Sequence, residues 1–215
     1  DQKGTGYWAV EAAFDMGVAV PTIAAAVQFR SLSAGGRLSK DTPNETQREK
    51  SHHPLSTDDV ILHIAPAVAC AMASSFAQGF CLIGAAKYNF GAKIDLHHVA
   101  RLWQSGCILR GEMINGIADS LKPGLECLDI LRSEPFQPLV AEGIEPLRKL
   151  VTAALSAGLP VPGLSSAVGY IDALNRSRLS TRFIQLQRDY FGGHGIRRIG
   201  QNVLSHGPWH KGEDS

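Results

Sequence analysis

The chain has 215 residues, 44% of them hydrophobic, and Lys+Arg 21 against Asp+Glu 20 leave a formal net charge of +1. That length and apolar content suffice for a single core with a tail. The balanced charge, with no basic block and no interleaving of aromatic and basic residues, argues against nucleic acid as a partner.

Cys70, Cys81, Cys107 and Cys127 stand apart, without the C-x-x-C pairs of a zinc or redox centre. Three of them fall in apolar helical stretches, where a free thiol acts as a small hydrophobe, as suits a reducing compartment. No signal-peptide pattern opens the chain, which begins on Asp1 and reads as a piece of something longer.

In chain order, Gly4-Thr5-Gly6 precedes a helix-compatible run from Ala9 to Met16, closed by Gly17. Backbone at the two glycines can approach a ligand closely, and a helix start favours an anion. No strand precedes this Gly-x-Gly, so a dinucleotide fingerprint is rejected. Pro21 opens a second helix over Thr22 to about Ser33, with Ile23, Ala26, Val27 and Arg30 spaced three or four apart. Residues 34–55 lack apolar periodicity and read as a surface excursion. His52-His53 within them has no spaced partner ligand, so no metal site is expected there.

Ser56-Thr57-Asp58-Asp59 resembles a capping box, and it precedes the longest helix candidate. From Val60 to Ala86 no residue is charged, which meets the length criterion for a membrane span. His63, Ser74, Ser75, Gln78, many alanines and Pro66 argue instead for a central, buried helix and for no membrane. Continuous to Phe90 it would run about 45 Å, more than a compact domain of this size requires, so part of it is expected to be covered by another subunit.

Gly91 ends that helix and Leu96–Leu121 supplies another, in which Gly106 and Gly111 are expected to let a neighbouring helix pack close. His97-His98 is assigned to helix surface, without chemistry. Pro123-Gly124 marks a turn, a short helix follows to about Leu131, and Pro135 opens a long helix through Ala157. Gly158-Leu159-Pro160 stops it as a C-cap followed by proline. Pro162 opens a helix through Leu174, and Ser180 or Thr181 caps the last one.

That last helix carries Gln187-Arg188-Asp189-Tyr190-Phe191-Gly192-Gly193-His194. On an ideal helix Arg188 and His194 would lie about 120° apart. The glycine pair breaks the helix and lets the two side chains converge, as an anion site would need. Residues 1–199 form the helical domain and 200–215 an irregular tail. Within the tail, Gly207-Pro208 forbids the helix that would place His206 and His210 on one metal. With no sustained two-residue alternation anywhere, the domain is expected to be all-α, with a long central helix.

Six blocks, in order, resemble the C-terminal helical domain of 6-phosphogluconate dehydrogenase. They are Gln2-Lys3-Gly4-Thr5-Gly6-x-Trp8, Ala26 to Ser33 with Arg30, Phe76-Ala77-Gln78-Gly79-Phe80, Gly106-Cys107-Ile108-Leu109-Arg110, Ala157-Gly158-Leu159-Pro160-Val161-Pro162, and Gln187 to His194. The resemblance implies a cytoplasmic enzyme of the pentose phosphate pathway that oxidatively decarboxylates 6-phosphogluconate to ribulose 5-phosphate with NADP. It implies an intertwined homodimer whose C-terminal segment reaches the partner's active site. Lys3, Arg30 and Arg188 match residues contacting the substrate, chiefly its phosphate; His194 matches one bonding the sugar, and Thr5 adds a hydroxyl or backbone contact. Arginine can grip phosphate bidentately and lysine adds a point charge. The resemblance places the family's Rossmann domain, which holds most of NADP, and its lysine base and glutamate acid ahead of Lys3, outside this chain. This chain alone is therefore expected to be inactive, with no catalytic residue and no metal of its own. The run after Ser33 departs from the family pattern. The competing expectations are a free-standing helical dimerisation or anion-binding module of the same fold, and, more weakly, a 3-hydroxyacid dehydrogenase.

Overall fold

A computed structural model describes residues 4–34, 55–91, 93–121, 127–134 and 136–210. The Lys3, His52-His53, Pro123-Gly124 and Pro135 readings lie outside the described residues. The chain divides into two units, Asp1–Asp172 and Ala173–Ser215.

Among its described residues the first unit has helices as its only regular elements: α1 Thr5–Asp15, α2 Pro21–Ala34, α3 Thr57–Asn89, α4 Leu96–Trp103, α5 Glu112–Ser120, a 3₁₀ turn Cys127–Arg132, α6 Phe136–Ser156 and α7 Pro162–Leu174, whose last two residues belong to the second unit. Ser56 caps α3 as its sequence predicts: Asp59 N–H donates to the Ser56 hydroxyl at 3.1 Å, and Ser56 N–H returns to the Asp59 carboxylate at 3.3 Å. A further donation, from Ser56 Oγ–H, together with that from Ser56 N–H holds the Asp59 carboxyl below its ordinary range.

The 33 residues of α3 run straight through Pro66, about 50 Å at the α-helical rise. Its inner face is built from small side chains: Ala67, Cys70, Ala71, Ala73, Ser74 and Ala77 are all buried. Such residues let a second helix come close, and α6 does so at Gly143. A Cβ added there would lie 2.4 Å from the Pro66 carbonyl oxygen and 2.5 Å from Cys70 Cβ. Phe80, Phe136, Leu147, Val151, Ile114, Ile117, Ile130 and Ile171 are buried as well. Burial pushes the Cys70 thiol up to about 11.

By length and composition α3 could cross a membrane. Its buried side-chain polar groups all have partners within the protein. Gln78, fully buried, accepts from Thr22 N–H at 2.9 Å and donates to the Thr22 and Ser74 hydroxyls at 2.8 and 3.0 Å, tying α3 to the start of α2. Toward its N-terminal half, Ile61, Leu62, Ile64, Val68 and Met72 remain exposed. Together they form an apolar strip left open on the single chain.

The single helix expected over Leu96–Leu121 is two, separated by a turn at 104–111. Gly106 has φ +73, and a Cβ at Gly106 or Gly111 would meet nothing within 4 Å. These glycines therefore serve backbone conformation and not close helix packing. Cys107 accordingly lies in a turn, not a helix. His97 also departs from expectation: half-buried, its Nδ1–H donates to the Ala118 carbonyl at 2.7 Å and fastens α4 to α5.

The second unit consists of α8 Arg182–Gly192 and a short antiparallel pair, β1 Ile196–Arg197 and β2 Leu204–Ser205, with Ile196 opposite Ser205. Thr181 is the N-cap residue of α8 but makes no side-chain cap bond. The tail expected to be irregular thus contributes one strand, β2, which pairs with β1 from residues expected to belong to the helical domain.

Candidate functional site

The end of α8 is set by glycine. Gly193 stands in the left-handed region at φ +61, ending the helix, and its N–H bonds the Asp189 carbonyl at 2.9 Å. Two residues on, Gly195 takes φ +75 and the chain turns back into β1. His194 sits between these turns, and its ring folds toward the helix end. A Cβ on Gly192 would lie only 2.8 Å from His194 Nε2, so the ring can occupy that space only because residue 192 has no side chain.

The result is an open hollow of about 430 Å³ lined by Ile184, Gln187, Arg188, Phe191, Gly192 and His194. The convergence of Arg188 with His194 expected from the sequence is therefore present, in an exposed depression. A guanidinium, an amide and an imidazole on an apolar wall can take a small anion that also carries hydroxyls. Gln185 braces the arrangement from beneath. Its Oε1 accepts from Arg188 Nη1–H at 3.5 Å, and its Nε2–H donates to the Gly195 carbonyl at 2.7 Å.

Asp189, next to Arg188, points the other way and is fully buried. Its Oδ1 accepts from Gly195 N–H at 2.8 Å and His206 Nδ1–H at 2.7 Å; its Oδ2 accepts from Gly207 N–H and Trp209 Nε1–H, both at 2.8 Å. Burial raises this carboxyl, but the Gly207, His206, Gly195 and Trp209 donors outweigh it and hold the group well below the ordinary carboxylate range. His210 Nε2–H donates to the Asp189 main-chain carbonyl at 2.7 Å.

Sequence reasoning kept His206 and His210 apart because no helix could run through Gly207-Pro208. A turn achieves what the helix could not: ligand atoms of Asp189, His206 and His210 lie within 4.8 Å of one another. The grouping is a hydrogen-bonded clasp, since both oxygens of the carboxylate already receive two N–H donors each. Asp189 was missed from the sequence; the hint was a tail dense in N–H donors with no secondary structure of its own to use them.

Of the other expected site residues, Thr5 is exposed at the first turn of α1 and Arg30 is exposed near the end of α2. The two helices pack where Gly6 faces Val27, at 2.9 Å from the position of a Gly6 Cβ. Thr5 and Arg30 belong to the first unit, Arg188 and His194 to the second.

A family model described as 6-phosphogluconate dehydrogenase, C-terminal domain, matches residues 1–209. The decarboxylating 6-phosphogluconate dehydrogenase of Synechococcus elongatus is 34% identical over 212 residues, covering 97% of this chain and 44% of its own length. That of Lactococcus lactis subsp. lactis is 31% identical over 217 residues, with the same two shares. Among solved structures, Plasmodium falciparum 6-phosphogluconate dehydrogenase, described in its apo form and in complex with its cofactor NADP+ and its substrate 6-phosphogluconate, matches with a TM-score of 0.87. It is 27% identical, over 97% of this chain and 45% of that one. The chain therefore spans less than half the length of these relatives.

Proposed function

From the premise that this chain belongs to the 6-phosphogluconate dehydrogenase family, as its C-terminal domain, we propose that it serves the NADP-dependent oxidative decarboxylation of 6-phosphogluconate to ribulose 5-phosphate. Its part is substrate binding. Arg188 takes the phosphate and His194 a sugar hydroxyl, joined by Lys3, Thr5 and Arg30. The observation that carries this reading is the single hollow in which Arg188 and His194 meet. A dianionic phosphate suits a guanidinium, which can offer it two parallel N–H donors.

Proton transfer and most of the NADP contact belong to a Rossmann domain. Among the described residues the only strands are the two-residue pair β1 and β2. Those residues hold no parallel β–α–β unit of the kind that binds a dinucleotide, and no residue of this chain is assigned to the cofactor. NADP supplies hydride acceptance when bound; the residues of this chain orient the phosphate and sugar. The enzyme works in the cytoplasm as a homodimer, with Arg188 and His194 acting in the partner's site. The exposed apolar side of α3 supports dimerisation.

The test is an assay of the full-length protein carrying this domain together with a Rossmann domain. NADPH and CO₂ are expected from 6-phosphogluconate and NADP, with no turnover by residues 1–215 alone. Binding of 6-phosphogluconate by the full-length protein without NADP reduction would overturn the enzyme reading in favour of a non-catalytic module.

A further inference from the structure

The turn that carries His194 has little rigidity of its own. Gly192, Gly193 and Gly195 occupy three of its four positions, and glycine loses more conformational freedom on ordering than any other residue. Its fixed point is outside it. Gly195 N–H, the amide immediately after His194, ends on Asp189 Oδ1, and the Gly195 carbonyl ends on Gln185. The same carboxylate gathers His206, Gly207 and Trp209 from the tail, while His210 bonds its main-chain oxygen and packs 3.6 Å from where a Gly193 Cβ would be. Tyr190 and Trp209 meet edge to face at 5.8 Å on the flank of this cluster.

We propose that Asp189 is a positioning residue for the Arg188–His194 hollow, acting by docking the segment His206–His210 and the Gly195 amide on one buried carboxylate so that His194 faces the ligand. The inference rests on the reading of that hollow as the substrate phosphate–sugar site. An acidic side chain suits the role for two reasons. Hydrogen bonds to an ionised acceptor are about twice as strong as neutral ones. Each oxygen of Asp189 also serves one main-chain and one side-chain N–H. An asparagine, whichever way its amide turned, would face one such pair with its own N–H₂. A main-chain amide would then lose its buried acceptor, and the turn would have to shift.

The experiment compares full-length wild type, Asp189→Asn and Trp209→Phe, the last removing one of the four donors but keeping an aromatic ring. Asp189→Asn is expected to raise KM for 6-phosphogluconate about tenfold, and Trp209→Phe roughly threefold, the losses that follow from one or two weakened hydrogen bonds. KM for NADP should stay at the wild-type value in both. Amide hydrogen exchange should quicken at Gly195 and leave mid-helix α8 amides unchanged. If Asp189 only stabilises the fold, Asp189→Asn will lower the unfolding temperature and the active fraction while KM for 6-phosphogluconate and exchange at Gly195 remain those of wild type; that result overturns the proposal. Should Asp189→Asn fail to fold, Trp209→Phe decides by the same two readouts. Should wild type not turn over 6-phosphogluconate at all, the substrate reading fails, and the exchange rate at Gly195 still decides whether Asp189 holds the turn.

Discussion

At Gly192 two preferences of a single residue conflict. Alanine is favoured over glycine inside a helix by about 1 kcal/mol, so Gly192→Ala should strengthen α8 on propensity alone. The added Cβ would, however, stand 2.8 Å from His194 Nε2, and an imidazole can swing away more easily than a helix can move. The expected outcome is a protein at least as stable as wild type whose KM for 6-phosphogluconate rises about tenfold, the loss of one hydrogen bond to the sugar. Thermal unfolding and steady-state kinetics of the full-length protein check both halves, and an unchanged KM would show that the ring position at His194 is immaterial. The break at the end of α8 was legible in the sequence, because adjacent glycines after an apolar helix announce it. Asp189 was not, since four of its six partner residues lie 17–21 positions downstream, beyond the reach of helical periodicity.

Between helices, the decisive contact is the crossing of α3 and α6. Gly143 faces backbone and a Cβ, neither of which can rotate aside, so Gly143→Ala forces the helices apart or strains one of them. Overpacking of this kind costs roughly 1–3 kcal/mol, more than the helix-propensity gain from alanine. Chemical denaturation should show a lower midpoint with an unchanged slope; an unshifted midpoint would mean that the crossing is more pliable than its geometry implies. Sequence periodicity anticipated α2, α3, α6 and α7 because each has a cap, a proline or a glycine at its ends. It merged α4 with α5 because apolar spacing continues through the turn, and the positive φ at Gly106 leaves no mark on hydrophobic pattern. The small residues lining α3 were visible as composition, but the close seam at Pro66 and Cys70 depends on Gly143, 77 and 73 positions away.

For the molecule as a whole, the all-α class follows from the absence of alternating strands, and among the described residues the structure adds only the β1–β2 pair. What a single chain leaves open is which molecule covers the exposed Ile61, Leu62, Ile64, Val68 and Met72 of α3. The proposed homodimer answers that and carries its own test. Full-length Arg188→Ala and full-length Lys3→Ala chains, each inactive alone, should recover activity when mixed, because a heterodimer contains one composite site with both residues intact. No recovery after subunit exchange has been verified would count against a site shared between protomers.

The clasp on Asp189 has a thermodynamic corollary. A ligand that binds only when the His194 turn is set sees only those molecules whose tail is docked, and its apparent dissociation constant rises as that population shrinks. Linkage runs equally in the other direction: an occupied hollow draws the tail into its docked state by the same free energy. On the proposed role of Asp189, residues 206–210 would report occupancy as well as support it. Their resistance to proteolysis should rise and fall with ligand concentration, although none of them lines the hollow.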